Sequence, residues 1–411
     1  MKKGYLSQYF SGVAIKRLTA VEVGEANSNQ HEFQGVSDLK NVFGTPNEKI
    51  KFKTRFLFFF DGGESPVHED GFMTWSDVRR NNPDRSPEYH LYYSTDLVNQ
   101  FATAGDILVI AKRPDNTLLA IIAKSGTTIA SQIQWLLGFS DLSHPGFSVR
   151  KDLETEKDRI EFASRFILES IGVDVHVSEE TWLEEMLRKF NGSFPTTKKF
   201  SAYARSTLPD VTPLDGQDAA LMAWMEREEI LFRILEKYLI GERLIQGFDG
   251  DVDGFISFSL SVQNRRKSRV GLALENHLEI LFKECSIKYS RTPRTENKSR
   301  PDFIFPGIKE YRDPDYNLLA LTMLGVKSSC KDRWRQVLAE ADRIEEKHLL
   351  TLEAAISENQ TDEMRAKKLH LILPEELHDT YSETQRSWIM NVSQFTELVQ
   401  QRQKNYSNYS Q

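Results

Sequence analysis

Residues 300–327 read RPDFIFPGIKEYRDPDYNLLALTMLGVK, and this stretch decides how the C-terminal half of the chain folds. Two apolar runs, 302–305 and 318–326, have the length and the flanking turn residues of buried strands. Asp302 opens the first strand directly after Pro301, and Lys327 closes the second. Working outward, apolar residues recur at helical spacing over 219–239 and 272–283, before the strands. After them the pattern predicts a long helix over 331–350, a strand over 369–373 and a closing helix over 392–400. Helix, strand, strand, helix, strand describes an α/β sandwich around a small sheet.

The residue types at the strand ends suit hydrolysis of a phosphodiester. That reaction needs a divalent cation to activate water and to offset charge on the transition state. Hard cations bind carboxylate oxygens, which Asp302 and Glu340 can supply. Lys327 beside them would orient the attacking water and neutralise the phosphate. On a helix over 331–350, Asp332, Gln336 and Glu340 share one face. Glu275 is a further acidic candidate, with Glu279 on the same face of its helix. Spacing alone leaves two alternatives open. Pro314-Asp315 competes with Pro301-Asp302 for the partnership with Lys327, and a turn-capping Asp302 with a solvated Lys327 accounts for the same residues.

The first 150 residues read differently. Short apolar or alternating runs at 52–60, 89–93, 107–112 and 118–123 are bounded by Gly, Pro, Asn and Asp, the pattern of a β-barrel or sandwich. From 155 to 188 the period becomes helical, and 206–216 (STLPDVTPLDG) has the composition of a linker. The expected organisation is a β-rich domain over 1–150, its helical extension over 151–205, a linker over 206–216, a nuclease-like domain over 217–404 and a disordered polar tail over 405–411. No internal repeat is present in the sequence.

Composition supports two soluble domains. The 411 residues are 39% hydrophobic and 27% charged. No run approaches the ~20 apolar residues of a membrane helix, and no signal peptide is evident, so the expected location is the cytoplasm, away from membranes. Cys285 and Cys330, without a second pair, read as free thiols. The net charge of −7 argues against a nucleic-acid partner only at the scale of the whole chain. DNA meets a local patch, and residues 264–300 hold ten Lys or Arg against four Glu.

Three blocks carry a family resemblance: Asn264-Arg265-Arg266-Lys267-Ser268-Arg269 with 274–282 (LENHLEILF), 300–306 (RPDFIFP), and 326–338 (VKSSCKDRWRQVL). Together they resemble the EcoRII family of type II restriction endonucleases, within the PD-(D/E)xK superfamily, over about 225–398. The resemblance implies a Mg²⁺-dependent, site-specific deoxyribonuclease that cuts double-stranded DNA at a short CC…GG frame such as 5′-CCWGG. It implies Asp302 and Glu340 as metal-binding acids, Lys327 as the catalytic lysine, Glu275 as an accessory glutamate and Tyr311 as a supporting tyrosine, and it decides against Asp315. It also implies Lys331, Asp332 and Arg333 as readers of G·C pairs, chemistry that suits them: Arg donates to guanine O6 and N7, and a carboxylate accepts from cytosine N4. Arg265, Arg266, Lys267 and Arg269 fit phosphate contacts better than base reading. One departure is plain. The wider superfamily places an acid two residues before the lysine, where this chain has Gly325; the resemblance moves that role to Glu340.

Residues 13–19 (VAIKRLT), with Gly24, Asn29 and Gln30, are similar to the start of the family's effector domain, a DNA-binding pseudobarrel. The likeness implies a first DNA-gripping arm with Lys16, Arg17, Asn29, Gln30 and His31, although the family carries histidine at the Asn29 position. Location, rather than matching residues, suggests a second arm holding Arg79, Arg80, Arg85, Glu88 and His90. The expected assembly is a homodimer that needs two DNA sites, with the effector domain regulating cleavage and a partner methyltransferase acting in the same cell without direct contact. The alternatives are a DNA-binding regulator on an inactive nuclease fold, and a methylation-directed or repair nuclease.

Overall fold

The β-rich expectation for the N-terminal half holds. In order, the chain forms β1 (Gly12–Arg17), β2 (Glu32–Phe33), helix α1 (Lys40–Phe43), β3 (Ile50–Phe59), β4 (Val67–Asp77), β5 (Tyr89–Tyr93), α2 (Leu97–Phe101), β6 (Ile107–Lys112), β7 (Leu118–Ala123), α3 (Thr128–Leu137), β8 (Ser148–Arg150) and α4 (Phe162–Ser170). This computed structural model describes residues 4–407 except 24–30, 34–35, 61–65, 83, 140–141, 143–145, 161, 174, 176–180 and 331–332. Asn29, Gln30, Lys331 and Asp332 therefore lie outside the described residues.

The strands make one eight-stranded sheet in the order β2-β5-β4-β3-β7-β6-β1-β8, antiparallel throughout except between β3 and β7. Strand β3 shows why. Lys51, Lys53 and Arg55 point to solvent while Phe52, Thr54 and Phe56 point inward, the period of two that a half-buried strand requires. Strands β6 and β7, at the sheet's middle, are buried along almost their whole length, which matches their unbroken apolar sequence. Phe33, Phe56, Phe58, Met73, Trp75 and Leu91 meet in the core of this unit. Strand β4 is not foreseen by the sequence. Its outer face is polar, so hydrophobicity does not mark it, and pairing with β3 and β5 supplies the order instead.

The second half continues through α5 (Thr181–Phe190), α6 (Thr197–Ser206), α7 (Gln217–Gln246), α8 (Val252–Glu284), β9 (Ser290–Arg291), β10 (Phe303–Phe305), α9 (Ile308–Arg312), β11 (Thr322–Lys327), α10 (Trp334–Leu338), β12 (Lys347–Thr351), α11 (Glu358–Ala366), β13 (Leu369–Ile372), α12 (Glu383–Arg386) and α13 (Val392–Ser407). Its sheet runs β13-β12-β11-β10-β9. Strand β11 is parallel to β12 and antiparallel to β10. Asp218, buried at the start of α7, accepts from the backbone N–H groups of Val392 at 2.7 Å and Ser393 at 2.9 Å, and so ties α7 to the first turn of α13.

Four expectations are corrected. The chain divides between Val175 and His176, with Ala355–Gln360 grouping with the first unit, and not at 206–216. Residues 206–216 connect α6 to α7 inside the second unit, because Phe200, Tyr203 and Ala204 pack with Leu231, Phe232 and Leu235 in one cluster. Proline, glycine and aspartate mark a tight turn as readily as a linker. The long helix over 331–350 does not form: α10 ends at Leu338, Ala341 takes a positive φ of 51°, and 347–351 becomes β12, whose apolar residues gain both sheet neighbours and burial. The second strand starts at Thr322, after a single 3-10 turn over Leu318–Ala320. Residues 405–407 extend α13 rather than forming a disordered tail; the basic block 264–269 lies within α8. Among the described residues no helix is long and apolar enough to cross a membrane. Both cysteines are buried free thiols.

Candidate active site

Antiparallel pairing brings the two ends of the 300–327 stretch together. Phe303 pairs with Leu324, so Asp302, one residue before β10, arrives beside the last residues of β11. One of its carboxylate oxygens, Oδ2, accepts from the Val326 backbone N–H at 2.6 Å and from Lys327 Nζ at 3.1 Å. The Asp302 carbonyl accepts from Thr292 N–H at 2.8 Å, fixing the main chain on its other side. Both side chains are mostly covered, at 14% exposure for Asp302 and 17% for Lys327, which leaves an opening to solvent.

Helix α10 delivers the second acid. Trp334 and Val337 are fully buried and anchor the helix, and Glu340 follows two residues past its end. Burial pushes the Glu340 carboxyl up to about 7; Lys327 opposes that shift and the charge of Asp302 adds to it. Its Oε2 is buried and has no hydrogen-bond partner among the described residues. An unsatisfied buried carboxylate oxygen is costly unless something absent from the polypeptide completes it. Gly325 explains why no acid stands two residues before Lys327. A Cβ there would lie 2.7 Å from Val337 Cγ2 and 2.9 Å from Cγ1, so α10 packs directly on the strand backbone.

Glu275 on α8 joins the same corner. Burial raises its pKa, the charge of Asp302 raises it further, and a hydrogen bond from Arg291 together with the charge of Lys327 opposes them. Arg291, paired with Phe303 across β9 and β10, donates to Glu275 Oε2 at 3.0 Å and to Glu279 Oε2 at 2.8 Å. Sequence reasoning misses Arg291 as a site residue, counting it only among ten basic residues. Its signal is positional, since a residue next to β10 in register with Phe303 must sit beside Asp302.

Tyr311 is not gathered with these groups by any hydrogen bond among the described residues. Its buried hydroxyl donates to Glu296 Oε2 at 2.5 Å and accepts from Arg343 N–H at 3.3 Å, and burial raises its pKa. It steadies the segment just beyond Glu340. Asp315 is exposed, and the described hydrogen bond of Lys327 goes to Asp302 instead.

Arg333 is exposed, its guanidinium donating to Ser329 O and Oγ, both at 2.8 Å. The basic block resolves unevenly. Lys267 is exposed, Arg265 stacks on Phe194 with its guanidinium 4.1 Å from the ring centre, and Arg266 pairs with Glu236 at 2.9 Å. Arg269 is corrected: it is buried in an ion pair with Glu229, whose carboxyl lies down at about 2 because Arg269 and Arg233 outweigh its burial, so it does not face phosphate.

In the first unit, Lys16 is likewise corrected, since it is buried against Glu22 at 2.7 Å. Arg17 is exposed and donates to Gly105 O and Ser125 Oγ. His31 lies 3.4 Å from Asp96, His90 lies 2.6 Å from Glu32, and Arg79 pairs with Glu88. Arg80 and Arg85 are exposed.

Among the described residues no group of three or more His, Cys, Asp or Glu side chains forms a metal cage. Asp302 and Glu340 offer a pair. A pair suits Mg²⁺, which keeps several waters and takes one or two protein carboxylates, and the empty Glu340 Oε2 is the observation that fits such an ion.

The second unit thus holds a mixed α/β core with an aspartate entering one strand and a lysine leaving its antiparallel neighbour. Residues 232–396 match the family model described as EcoRII C terminal. The type II restriction enzyme EcoRII of Escherichia coli is 40% identical over 203 residues, 49% of this chain and 50% of the relative. The chain thus matches about half the length of that curated relative. Among solved structures, metal-depleted Ecl18kI in complex with uncleaved, modified DNA has a TM-score of 0.44 at 18% identity, covering 57% of this chain and 87% of that one. A restriction endonuclease PspGI–substrate DNA complex has a TM-score of 0.43 at 16% identity, covering 52% and 94%.

Proposed function

We propose that the chain is a type II restriction endonuclease that hydrolyses double-stranded DNA at a CC…GG-type site, with Asp302, Glu340 and Lys327 performing the chemistry. The observation that carries this reading is the Glu340 Oε2, without a partner among the described residues, beside the Asp302–Lys327 pair. Asp302 and Glu340 hold Mg²⁺, which supplies Lewis acidity and a reactive water at the phosphate. Lys327 keeps its ammonium at the mouth of the site, where it orients the attacking water and offsets the charge that builds on the phosphate oxygens. Glu275, held by Arg291, is a reserve carboxylate at the same corner.

Arg333, with Lys331 and Asp332, reads G·C edges in the major groove, while Arg265 and Lys267 contact phosphate. The first unit is the effector domain, a pseudobarrel that binds a second copy of the site and restrains cleavage. It contributes Arg17, His31, Arg79, Arg80, Arg85 and His90, together with Asn29 and Gln30. The working form is a homodimer in the cytoplasm, alongside a methyltransferase that protects host DNA. Incubating the protein with Mg²⁺ and unmethylated plasmid, then sequencing the ends, tests this. Discrete fragments with CC…GG at their ends are expected; intact plasmid or an unspecific smear sinks it.

A further inference from the structure

Two lysines are buried among the described residues, Lys16 and Lys347. Lys16 has the Glu22 carboxylate beside it. Lys347, the first residue of β12 and 6% exposed, forms no ion pair among the described residues. Its Nζ donates instead to two backbone carbonyls, Ala341 O at 2.9 Å and Ile344 O at 2.6 Å. Covering an ammonium without a carboxylate is costly. An apolar side chain of similar length would fill the same space without that cost, so the charge needs a reason.

The two carbonyls supply one. Both belong to the turn after α10, and Ala341 directly follows Glu340. Ala341 is 1% exposed and holds a φ of 51°, left-handed backbone that a non-glycine residue adopts only when its surroundings impose it. Inside the turn, Glu340 N–H donates to Val337 O at 3.2 Å and Ile344 N–H to Ala341 O at 2.9 Å. Ala341 O thus accepts twice, once from the turn and once from Lys347. The lysine reaches it from a fixed base, since its own N–H donates to Lys368 O at 3.1 Å and it pairs with Leu369 of β13. Burial lowers the Lys347 pKa, and the charges of Asp342, Glu340 and Glu296 oppose that shift, so the ammonium faces the acids of this corner.

We propose that Lys347 is a positioning residue for the nuclease site: from the sheet it clamps the 341–344 turn and thereby sets where the Glu340 carboxylate stands beside Asp302. The inference rests on the proposed reading in which Asp302 and Glu340 hold a divalent cation. Lys347 itself touches neither cation nor phosphate. Without its clamp, Ala341 relaxes toward right-handed backbone and carries Glu340 away.

The test is Mg²⁺ binding to the full chain by calorimetry, without DNA, in a double-mutant cycle with Glu340. Lys347→Met is expected to weaken Mg²⁺ binding by about 10-fold or more. In a Glu340→Gln background the same substitution should change affinity by less than about 2-fold, because the carboxylate it places is gone. Adding Ala341→Gly to Lys347→Met should recover part of the loss, since glycine takes left-handed backbone without strain. Lys347→Gln keeps a donor for one carbonyl and should fall between wild type and Lys347→Met; it carries the cycle if Lys347→Met does not fold. Substitutions at Lys347 that ease urea unfolding yet leave Mg²⁺ affinity at the wild-type value make the lysine a fold residue and overturn the inference. So does an equal loss of affinity with and without the Glu340 carboxylate. A Glu340→Gln variant that itself binds Mg²⁺ like the wild type is a different failure, which removes the cation site and this inference with it.

Discussion

Lys16 with Glu22 and Lys327 with Asp302 are the same two functional groups, 2.7 and 3.1 Å apart, one pair in each unit of the chain. Their surroundings differ. Lys16 and Glu22 are wholly buried, and the second Glu22 oxygen accepts from Thr19 N–H at 2.8 Å and Thr19 Oγ1 at 2.9 Å, so the glutamate is fully satisfied within the protein. The Lys327 pair opens to solvent and borders Glu340, whose buried Oε2 bonds to nothing among the described residues and whose carboxyl is pushed up to about 7. A closed, satisfied pair holds a fold. A pair left with spare bonding capacity beside a desolvated acid is poised to bind something else.

Breaking each pair should have opposite consequences. Lys327→Ala should slow single-turnover plasmid cleavage by about 10⁴-fold, roughly 5 kcal/mol of transition-state stabilisation, while gel-shift affinity for duplex DNA stays within a few-fold. Cleavage at the wild-type rate would move the active site elsewhere. Lys16→Met should leave the buried Glu22 without its counter-ion, costing about 3–5 kcal/mol in urea unfolding. The double variant Lys16→Met with Glu22→Leu should recover most of that loss, because an apolar replacement of both partners removes the stranded charge. If Lys16→Met is instead silent in unfolding and weakens DNA binding, the pair is an exposed arm and the contrast collapses.

Glu340→Gln is the next largest effect. It should weaken Mg²⁺ binding, measured by calorimetry, by about 10–100-fold or more. Its pH behaviour follows from the raised carboxyl. Between about 4.5 and 7 the unfolded chain has lost this proton while the folded chain keeps it, so metal-free stability should fall as pH rises through that window. Cation binding needs the charged form, so affinity should rise with pH up to about 7, with one proton released per ion bound. Glu340→Gln should flatten both trends, and a variant that titrates like the wild type would leave Glu340 without the role given to it.

How much of this was legible in the sequence follows from the kind of information each feature carries. Asp302 and Lys327 were readable because each sits at the border of an apolar run, and an antiparallel return brings such borders together. Glu340 was expected on a different scaffold from the one that carries it. A helical face over 332–340 was expected to present it, whereas α10 is one short helix and Glu340 projects from the turn that follows. The strand that replaces the rest of that helix is set by its two parallel neighbours, and single-sequence periodicity does not contain pairing. Lys16 and Arg269 look alike in sequence to solvent-facing cations. Only their carboxylate partners, six and forty residues away, show them to be internal. Arg291 lay in plain sight among other basic residues and acquires meaning through register alone.

Arg291 also gives the smallest and most discriminating test of the contrast. Its guanidinium bridges Glu275 and Glu279, one turn apart on α8, and its hydrogen bond lowers the Glu275 carboxyl against burial and the charge of Asp302. Arg291→Lys keeps the charge but cannot hold both carboxylates in a fixed fork, and partly exposed ion pairs contribute about 1 kcal/mol or less. Cleavage should therefore fall by only about 5-fold. Arg291→Met removes the opposing charge altogether, so Glu275 should hold its proton to higher pH, and the acidic limb of the cleavage profile should move upward, further than in Arg291→Lys. Were Glu275 a closed structural partner like Glu22, both variants would lower unfolding stability and leave that limb where it stands. A graded shift of the limb, with unfolding little changed, places Glu275 among the groups that the site holds ready.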